Sequence, residues 1–318
     1  MNCRQEDVLK FTQKDIPNLS GHVVIVTGGN SGIGYETTKQ LALNGARVYI
    51  ASRSSDRVQA AITRMNHEVG EDRNLDLRFL KLNLEDLTSV KAAARWFTDH
   101  EDRLDILINN AGVMNAPYKL TVDGLESQWQ INYLAPHLLT TSLMPLMLKT
   151  AAKAGRLDRV RVVNVVSNAA FFGPKTIQFE DVNMTDAKGM MVLWQRYGHA
   201  KQASIRDAKE INDRFGSKGV TAYSVHPGIV KTNLQSTDPS MIGSLMRMTM
   251  KLAPSASALD GALNSLFCAT SPRAPAVGQG RYFVPVAKLD SVADVWLNDT
   301  ETNARLWEES AKRLEQVV

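Results

Sequence analysis

The stretch "HVVIVTGGNSGIGYET", residues 22–37, sets the fold class of this chain. It contains a short β-branched run that ends at two glycines, and a helical pattern begins immediately afterwards. Such a run, bounded by glycines, is typical of a buried parallel strand, and a helix after it completes half of a βαβ unit. The stretch therefore predicts a strand, a tight turn and a helix in direct succession.

The alternation of strand and helix continues along most of the chain. Further strands are predicted at "RVYIASR", "LRFLKLN", "LDILINNAG", "RVRVVNVVS", "VTAYSVHPG" and "GRYFVP", with helical patterns between them. Repeated βαβ units with right-handed crossovers give one parallel sheet that is covered on both faces. We therefore expect an α/β fold over residues 1–318, a single doubly wound Rossmann domain with about seven parallel strands flanked by helices.

Three segments do not follow this alternation. Residues 1–18 form a polar leader, residues 229–256 are rich in methionine, and residues 290–318 end in an amphipathic helical pattern. We expect a substrate lid at 229–256 and a C-terminal helical extension at 290–318. A helix that lies on a membrane surface is the alternative for the lid segment.

Composition limits the partners and the location of the protein. The net charge of +4 is a mild and scattered excess, which disfavours nucleic acid as a partner. The two cysteines, Cys3 and Cys268, form no CxxC pattern, which favours a reducing, cytoplasmic location. No run approaches the ~18 apolar residues of a membrane span, so no integral membrane segment is expected. The histidines show no metal-ligand spacing, so no metal is expected.

The glycines after the first strand form a G-xxx-G-x-G pattern. Gly28 permits the tight turn, Gly32 lets the backbone approach a pyrophosphate, and Gly34 permits close packing of helix and sheet. The phosphates would lie at the helix N-terminus. The pattern predicts a dinucleotide site that also includes Asn30, Ser31 and Ile33, and a glycine-rich turn without a ligand is the alternative.

The end of the second predicted strand bears on the choice of cofactor. Enzymes that use NAD place an acid there for the ribose hydroxyls, whereas this chain has Ser52 and Arg53. An arginine can bind a 2′-phosphate through charge-assisted hydrogen bonds. We therefore expect NADP(H), with a purely solvated Arg53 as the alternative.

Several further motifs follow the glycine loop in order: "NNAG" (109–112), Asn132, Ser167, "YGHAK" (197–201) and "HPGIVKTNL" (226–234). With the loop, they resemble the short-chain dehydrogenase/reductase superfamily. Within it, the chain is most similar to the retinol-dehydrogenase-like group and its fungal relatives. This similarity rests on "ASR" (51–53), the long gap between Ser167 and Tyr197, "FEDVN" (179–183) and "RLWEES" (305–310). Many retinol dehydrogenases carry an apolar N-terminal anchor, which the polar leader does not resemble.

Tyr197 and Lys201 are four residues apart, so on a helix they share one face. An ammonium one turn away would lower the pKa of the phenol, making Tyr197 the general acid in reduction and the base in oxidation. Ser167, at a strand end, can donate to a substrate oxygen. The resemblance implies that Lys201 also binds the nicotinamide ribose and that Asn132 holds a water in a proton relay. Taken alone, the pair would equally fit an ordinary helix face.

The resemblance also implies cofactor contacts from three other connections. These are the turn after the third strand, the loop after the fourth strand and the segment after the sixth strand. In the turn after the third strand, the family usually has Asp at the position of Asn83. The residues concerned are Asn83, Leu84, Asn110, Ala111, Gly112, Pro227, Gly228, Ile229 and Thr232.

Apolar residues near the predicted catalytic groups favour a bulky, hydrophobic substrate. The main candidates for the pocket lining are Met114, Ala169, Phe171 and Trp194, with Ala170, Phe172 and Met191 nearby in sequence. Core packing or a dimer contact is the alternative for each of them.

The leading hypothesis is an NADPH-dependent oxidoreductase that acts on a small hydrophobic ketone, aldehyde or secondary alcohol. One alternative is C=C reduction or cyclisation on the same fold, and another is a non-catalytic dinucleotide-sensing protein. The expected assembly is a monomer or a homodimer, since family members often pair through the long helix and the tyrosine helix.

Overall fold

The computed structural model describes residues 11–70, 73–155, 159–230 and 256–317. Within these residues eight strands form one sheet in the order β3-β2-β1-β4-β5-β6-β7-β8. The strands are β1 Val23–Thr27, β2 Arg47–Ser52, β3 Leu77–Lys81, β4 Ile106–Asn109, β5 Val160–Val165, β6 Val220–Val225, β7 Tyr282–Val284 and β8 Lys288–Leu289.

All neighbouring strands from β3 to β7 pair in parallel, whereas β8 pairs antiparallel with β7. The predicted doubly wound α/β fold with a parallel sheet is confirmed. The short antiparallel edge strand was not predicted, because a pair of residues after a tight turn carries no periodicity that a sequence pattern can detect.

Helices cover both faces of the sheet. Their bounds are α1 Gly32–Leu43, α2 Ser55–Val69, α3 Leu87–His100, α4 Ala135–Ala154, α5 Val192–Phe215, α6 Ala258–Thr270, α7 Ala274–Gly278, α8 Asp294–Leu297 and α9 Thr300–Val317. One apolar core lies between the sheet and α3, α4, α5 and α9, and the other lies between the sheet and α1, α2 and α6. Strands β1 and β4 are buried at every position and are apolar except for their last residues, Thr27 and Asn109, as is typical of parallel strands covered on both faces.

Asn132 does not lie in a regular α-helix. A short turn at Ser127–Trp129 leads into a π-helical turn at Gln130–Leu134, and α4 begins only at Ala135. The Asn132 side-chain amide donates to the Gln128 carbonyl over 2.9 Å. In an α-helix that carbonyl would accept the backbone N–H of residue 132. The side chain therefore takes the place of a helical hydrogen bond, which accounts for the wider turn.

The strand order places a crevice between β1 and β4. Chain connections leave these two strands in opposite directions along the sheet, and ligands of open α/β sheets bind at such a point, beyond the carboxyl ends of the strands. The predicted site residue Ser52 ends β2, and Gly28, Asn83, Asn110 and Ser167 follow the carboxyl ends of their strands by one or two residues. The topology thus gathers them at one edge.

Two segments close the site from the side. The connection between β5 and α5 begins with a 3-10 helix at Asn168–Phe172, and its later part is fixed by Asn183 Oδ1, which accepts the Glu126 N–H over 2.8 Å. Residues 290–317 form a 3-10 turn, α8 and α9. Most of the predicted lid at 229–256, and most of the predicted leader at 1–18, lie outside the described residues, so the lid remains a prediction.

Candidate active site

The glycine loop is tightly packed at the start of α1. Gly28 and Gly32 have φ values of +66° and +55°, which side chains rarely adopt. A Cβ at Gly34 would come within 2.5 Å of the Gly28 carbonyl oxygen. Ser31 precedes α1 but its hydroxyl makes no capping hydrogen bond. The hydroxyl is thus free for a ligand at the helix N-terminus, and the cradle suits a pyrophosphate. Asn30 and Ile33 are half-buried in the same loop.

The loop after β4 is fastened to the end of β1. Asn110 donates from its side chain to the Thr27 carbonyl over 2.9 Å, and the backbone N–H groups of Asn110 and Ala111 both donate to the Thr27 hydroxyl over 2.9 Å. A Cβ at Gly28 would lie 3.2 Å from Ala111. The two loops therefore support one another and form one wall of the crevice.

A cleft of about 180 Å³ opens beside this wall. It brings together seven residues that the sequence predicted for the cofactor: Gly28, Ser52, Arg53, Asn83, Leu84, Ala111 and Gly112. The sequence analysis missed other lining residues, namely Ala51, Leu82, Glu85, Val113 and Ile131. Most of these are immediate neighbours of predicted residues, and only Glu85 is charged.

Asn83 and Arg53 both have partners in this cleft. The Asn83 side-chain oxygen accepts the Glu85 N–H over 3.2 Å and so shapes the turn after β3. Arg53 Nη1 donates to Glu85 Oε2 over 2.9 Å. The Arg53 side chain is 65% exposed, so this ion pair leaves the guanidinium in contact with solvent at the edge of the cleft.

The predicted catalytic side chains come together where β5 meets α5. Ser167 follows β5, and its side chain lies beside that of Tyr197 and accepts the Ala169 N–H over 3.1 Å. Lys201 Nζ lies 5.7 Å from the centre of the Tyr197 ring and donates to the Val165 carbonyl over 2.9 Å. A hydroxyl, a phenol and an amine thus line one end of the crevice.

Burial dominates the acid–base properties of this group. It raises the pKa of Tyr197 to about 12, which the neighbouring Ser167 hydroxyl partly offsets, and it lowers the pKa of Lys201 to about 8. In the protein alone the pKa of Tyr197 is therefore above its ordinary value, whereas the sequence analysis expected it to be below. Both groups are almost fully removed from water, and the cost of desolvating each charged form exceeds their mutual attraction.

Asn132 links the catalytic group to the loop after β4. Its side-chain oxygen accepts the Val113 N–H over 3.1 Å, and its amide nitrogen donates to the carbonyls of Val113 and Gln128, each over 2.9 Å. A Cβ at Gly112 would lie 2.5 Å from the Asn132 oxygen and 3.5 Å from Lys201 Nζ. A residue larger than glycine at position 112 would therefore displace the Asn132 side chain.

The segment after β6 turns sharply at Gly228, where φ is +85°. A Cβ there would lie 3.2 Å from Pro285. Ile229 is 58% exposed, and its carbonyl accepts the Ala256 N–H over 2.9 Å. Pro227 is half-buried beside them, and Thr232 lies outside the described residues.

The apolar residues divide into two groups. Ala169, Trp194 and Tyr197 cluster with Met114, and Phe172 meets Trp194 edge-on with ring centres 6.1 Å apart. Phe171 instead stacks on Trp296 at 4.6 Å. Both residues are in the 3-10 helix, where successive side chains point about 120° apart, so Phe171 faces the C-terminal segment and Phe172 faces Trp194. Phe172 is therefore the better candidate for contact with a ligand at Tyr197.

Comparison with known proteins agrees with this arrangement. The sequence profile of the family described as short chain dehydrogenase matches residues 22–178. The chain is 39% identical to the short-chain dehydrogenase/reductase drtF of Aspergillus calidoustus, over 94% of this chain and 95% of the relative. It is 35% identical to human retinol dehydrogenase 12, over 93% and 87% of the two chains. A Burkholderia cenocepacia short chain dehydrogenase, solved in complex with NADP, superposes with a TM-score of 0.61, 25% identity, and coverage of 85% and 98%.

The fold and the crevice define a nicotinamide dinucleotide oxidoreductase that acts on small molecules. The chain belongs to the short-chain dehydrogenase/reductase family. The resemblance to retinol dehydrogenases found from sequence motifs is confirmed. In the described part of the chain, no helix has the length and apolar character needed to cross a bilayer. The same residues contain no group of three or more His, Cys, Asp or Glu side chains suited to a metal ion.

Proposed function

We propose that this protein is an NADPH-dependent oxidoreductase that transfers a hydride between nicotinamide and a hydrophobic ketone, aldehyde or secondary alcohol, with Tyr197 as the general acid and base. The observation that carries the proposal is that the side chains of Ser167, Tyr197 and Lys201 lie together beside the dinucleotide crevice. A protein that only senses a dinucleotide has no need of three convergent polar side chains.

The bound cofactor supplies the hydride, and the protein supplies the proton and the orientation. In reduction, the Ser167 hydroxyl donates to the carbonyl oxygen and stabilises the charge that develops there. Tyr197 donates its proton to the same oxygen. Its pKa near 12 keeps the phenol protonated at neutral pH, so the proton that the carbonyl oxygen takes up is in place before the reaction.

In oxidation, Tyr197 must act as a base, so its phenol must first lose its proton. The pKa of Lys201 is already near 8, so its ammonium is charged at neutral pH and can favour a phenolate. Asn132 carries a carbonyl-type oxygen close to Gly112 and Lys201, where a relay water could be held. The predicted contact of Lys201 with the nicotinamide ribose stays a proposal.

The remaining cofactor contacts follow from the crevice. The glycine loop, from Gly28 to Gly34 with Asn30, Ser31 and Ile33, would hold the pyrophosphate. Asn83, Leu84, Asn110, Ala111 and Gly112 would hold the adenosine end. Pro227, Gly228, Ile229 and Thr232 would lie against the nicotinamide. Arg53, with Ser52 in place of an acid at the end of β2, supports NADP(H) over NAD(H).

A hydrophobic substrate is supported by the surroundings of Tyr197. Met114, Ala169 and Trp194 pack around the phenol, and Phe172 is 52% exposed next to Trp194. Apolar walls with a few polar anchors are typical of sites for hydrophobic small molecules. The cytoplasmic location stays a prediction based on cysteine usage.

The monomer is the assembly we favour. Trp307 of α9 packs edge-on against His137 of α4 at 4.7 Å, and the Tyr133 hydroxyl hydrogen-bonds Ser310 over 2.7 Å. Helix α9 thus covers the face of α4 and α5 through which the predicted homodimer would pair. Sedimentation equilibrium checks this, and a dimer mass at micromolar concentration would contradict it.

The central test is Tyr197→Phe, assayed with a panel of hydrophobic carbonyls, alcohols and enones. We expect NADPH binding to persist and turnover to fall at least about a hundredfold. Tyr49→Phe is the matched control, since it removes a buried hydroxyl that bonds Glu101 over 2.7 Å, far from the site. Near-normal turnover of the Tyr197 variant would overturn the assignment. Reduction of only the C=C bond of the enones would favour the alternative chemistry.

A further inference from the structure

Three charged side chains meet at the edge of the 180 Å³ cleft, which Arg53 and Glu85 line. They come from three successive connections, Arg53 after β2, Glu85 after β3 and Lys119 after β4. Arg53 Nη1 lies 2.9 Å from Glu85 Oε2, and Lys119 Nζ lies 3.3 Å from Glu85 Oε1. One carboxylate therefore holds two cations, each through a different oxygen.

The backbones under these side chains are fixed. The Glu85 N–H donates to Asn83, and the Lys119 carbonyl accepts the Ser127 N–H over 2.9 Å. The side chains themselves remain open to solvent: those of Arg53 and Lys119 are 65% and 66% exposed. The cations can consequently exchange partners without any change in the fold.

A carboxylate bridged by two cations has the geometry of a phosphate in the same place. Both groups present neighbouring oxygens about 2–2.5 Å apart, to which two N–H donors can bind. Arg53 is the residue proposed above for the 2′-phosphate. Lys119 lies on the other side of the same anion and carries a strong point charge.

We propose that Lys119 is a second cation for the 2′-phosphate of NADPH, and that Glu85 competes with this phosphate for Lys119 and Arg53. This inference rests on the proposed NADPH preference and adds two residues that set its strength. With Glu85 ionised, the three side chains carry a net charge of +1, and without it +2. A phosphate monoester carries close to two negative charges at neutral pH, so the carboxylate weakens its binding.

The experiment measures NADPH and NADH dissociation constants by nicotinamide fluorescence for the full chain, in Lys119→Met, Glu85→Gln and Arg53→Ala. We expect Lys119→Met to weaken NADPH about fivefold and Glu85→Gln to tighten it about fivefold, each leaving NADH within about twofold. Adenosine 2′,5′-bisphosphate and 5′-AMP, titrated by calorimetry, should show the same pattern. Both effects should shrink at high salt.

Matched controls are available on α9, where Lys312 and Glu309 form an exposed ion pair at 3.1 Å far from the cleft. Lys312→Met and Glu309→Gln make the same charge changes and should leave both cofactors unaffected. Equal shifts for NADPH and NADH in the Lys119 or Glu85 variants, or no shift, would overturn the inference. If Arg53→Ala alone removes the preference, only the roles of Lys119 and Glu85 fail. If Arg53→Ala leaves the NADPH/NADH ratio unchanged, the role of Arg53 fails, whereas equal affinities of the wild type for NADPH and NADH would overturn the proposed NADPH preference itself.

Discussion

Lys201 donates a hydrogen bond from Nζ to the carbonyl of Val165, the last residue of β5, over 2.9 Å. Ser167 follows two residues later, so this one contact ties α5 to the strand end that carries the serine. The acceptor is a neutral carbonyl, which offers the buried ammonium only partial compensation for lost hydration. Its pKa is accordingly lowered to about 8.

Replacement of Lys201 by Met should reduce catalysis while keeping a side chain of similar length at this position. The side chain keeps its length, but the bond to Val165 and the charge near Tyr197 are lost. We expect turnover to fall at least about a hundredfold, with the loss greatest in the oxidation direction, because the phenolate loses its nearest cation. Steady-state kinetics in both directions check this. Wild-type turnover of the variant in both directions would show that Lys201 has no role in proton transfer.

The stability of the protein should depend on pH through Lys201. Its folded pKa, about 8, is below the ordinary value of 10.5, so the folded chain binds fewer protons at this residue than the unfolded chain between those limits. Stability should therefore rise with pH in this window. From pH 8 to 9.5, we expect the wild type to gain about 1–2 kcal/mol relative to Lys201→Met. Urea unfolding of both proteins measures the difference, and a constant difference would contradict the buried-amine interpretation.

Gly112→Ala should disturb the site by sterics alone. The new methyl group would lie 2.5 Å from the Asn132 oxygen. We expect a loss of about 1–3 kcal/mol in unfolding free energy and a fall in turnover. In the background Asn132→Ala, the same change should cost much less, since the clashing atom is gone. Gly216→Ala is the control, because its Cβ meets nothing closer than 3.3 Å. Additive effects in the double variant would argue against the contact.

His199 should behave as a packing residue although it stands between Tyr197 and Lys201. Its ring stacks on Trp129 at 4.4 Å, and its Nε2 accepts the Gln178 N–H over 3.1 Å. Burial lowers the pKa of His199 to about 3, so it stays neutral at every pH used for assays. His199→Phe should cost about 1–2 kcal/mol in stability, through the unpaired Gln178 N–H, and leave the pH–rate profile unchanged. A shifted profile would assign His199 a role in proton transfer.

Phe171 and Phe172 offer a matched pair of truncations. Phe172→Ala removes a ring beside Trp194, so we expect a KM about three- to tenfold higher for bulky substrates with little change in stability. Phe171→Ala removes the stack on Trp296, so we expect a loss of about 1–3 kcal/mol in stability with an unchanged KM. Kinetics and thermal unfolding separate the two roles. The reverse assignment would follow if Phe171→Ala alone raised KM.

The local pattern of the sequence was enough for the architecture and for the main site residues. β-Branched runs and glycines mark strand ends, and the carboxyl ends of parallel strands meet at one edge, so the sequence pattern alone places Gly28, Ser52 and Ser167 together. Tyr197 and Lys201 needed only helical spacing. These features depend on neighbours within a few residues, which the sequence displays directly.

Features that depend on distant parts of the chain could not be predicted in this way. The depth of burial that raises the pKa of Tyr197, the stack of Phe171 on Trp296, and the bridge of Glu85 to Arg53 and Lys119 each join elements far apart in sequence. The sequence by itself determined the order of strands and helices and placed the glycine loop, Ser167, Tyr197 and Lys201 at the carboxyl edge of the sheet. Only the tertiary structure decided their protonation and their partners, because both depend on how much water the packed chain excludes and on which side chains it brings within hydrogen-bonding distance.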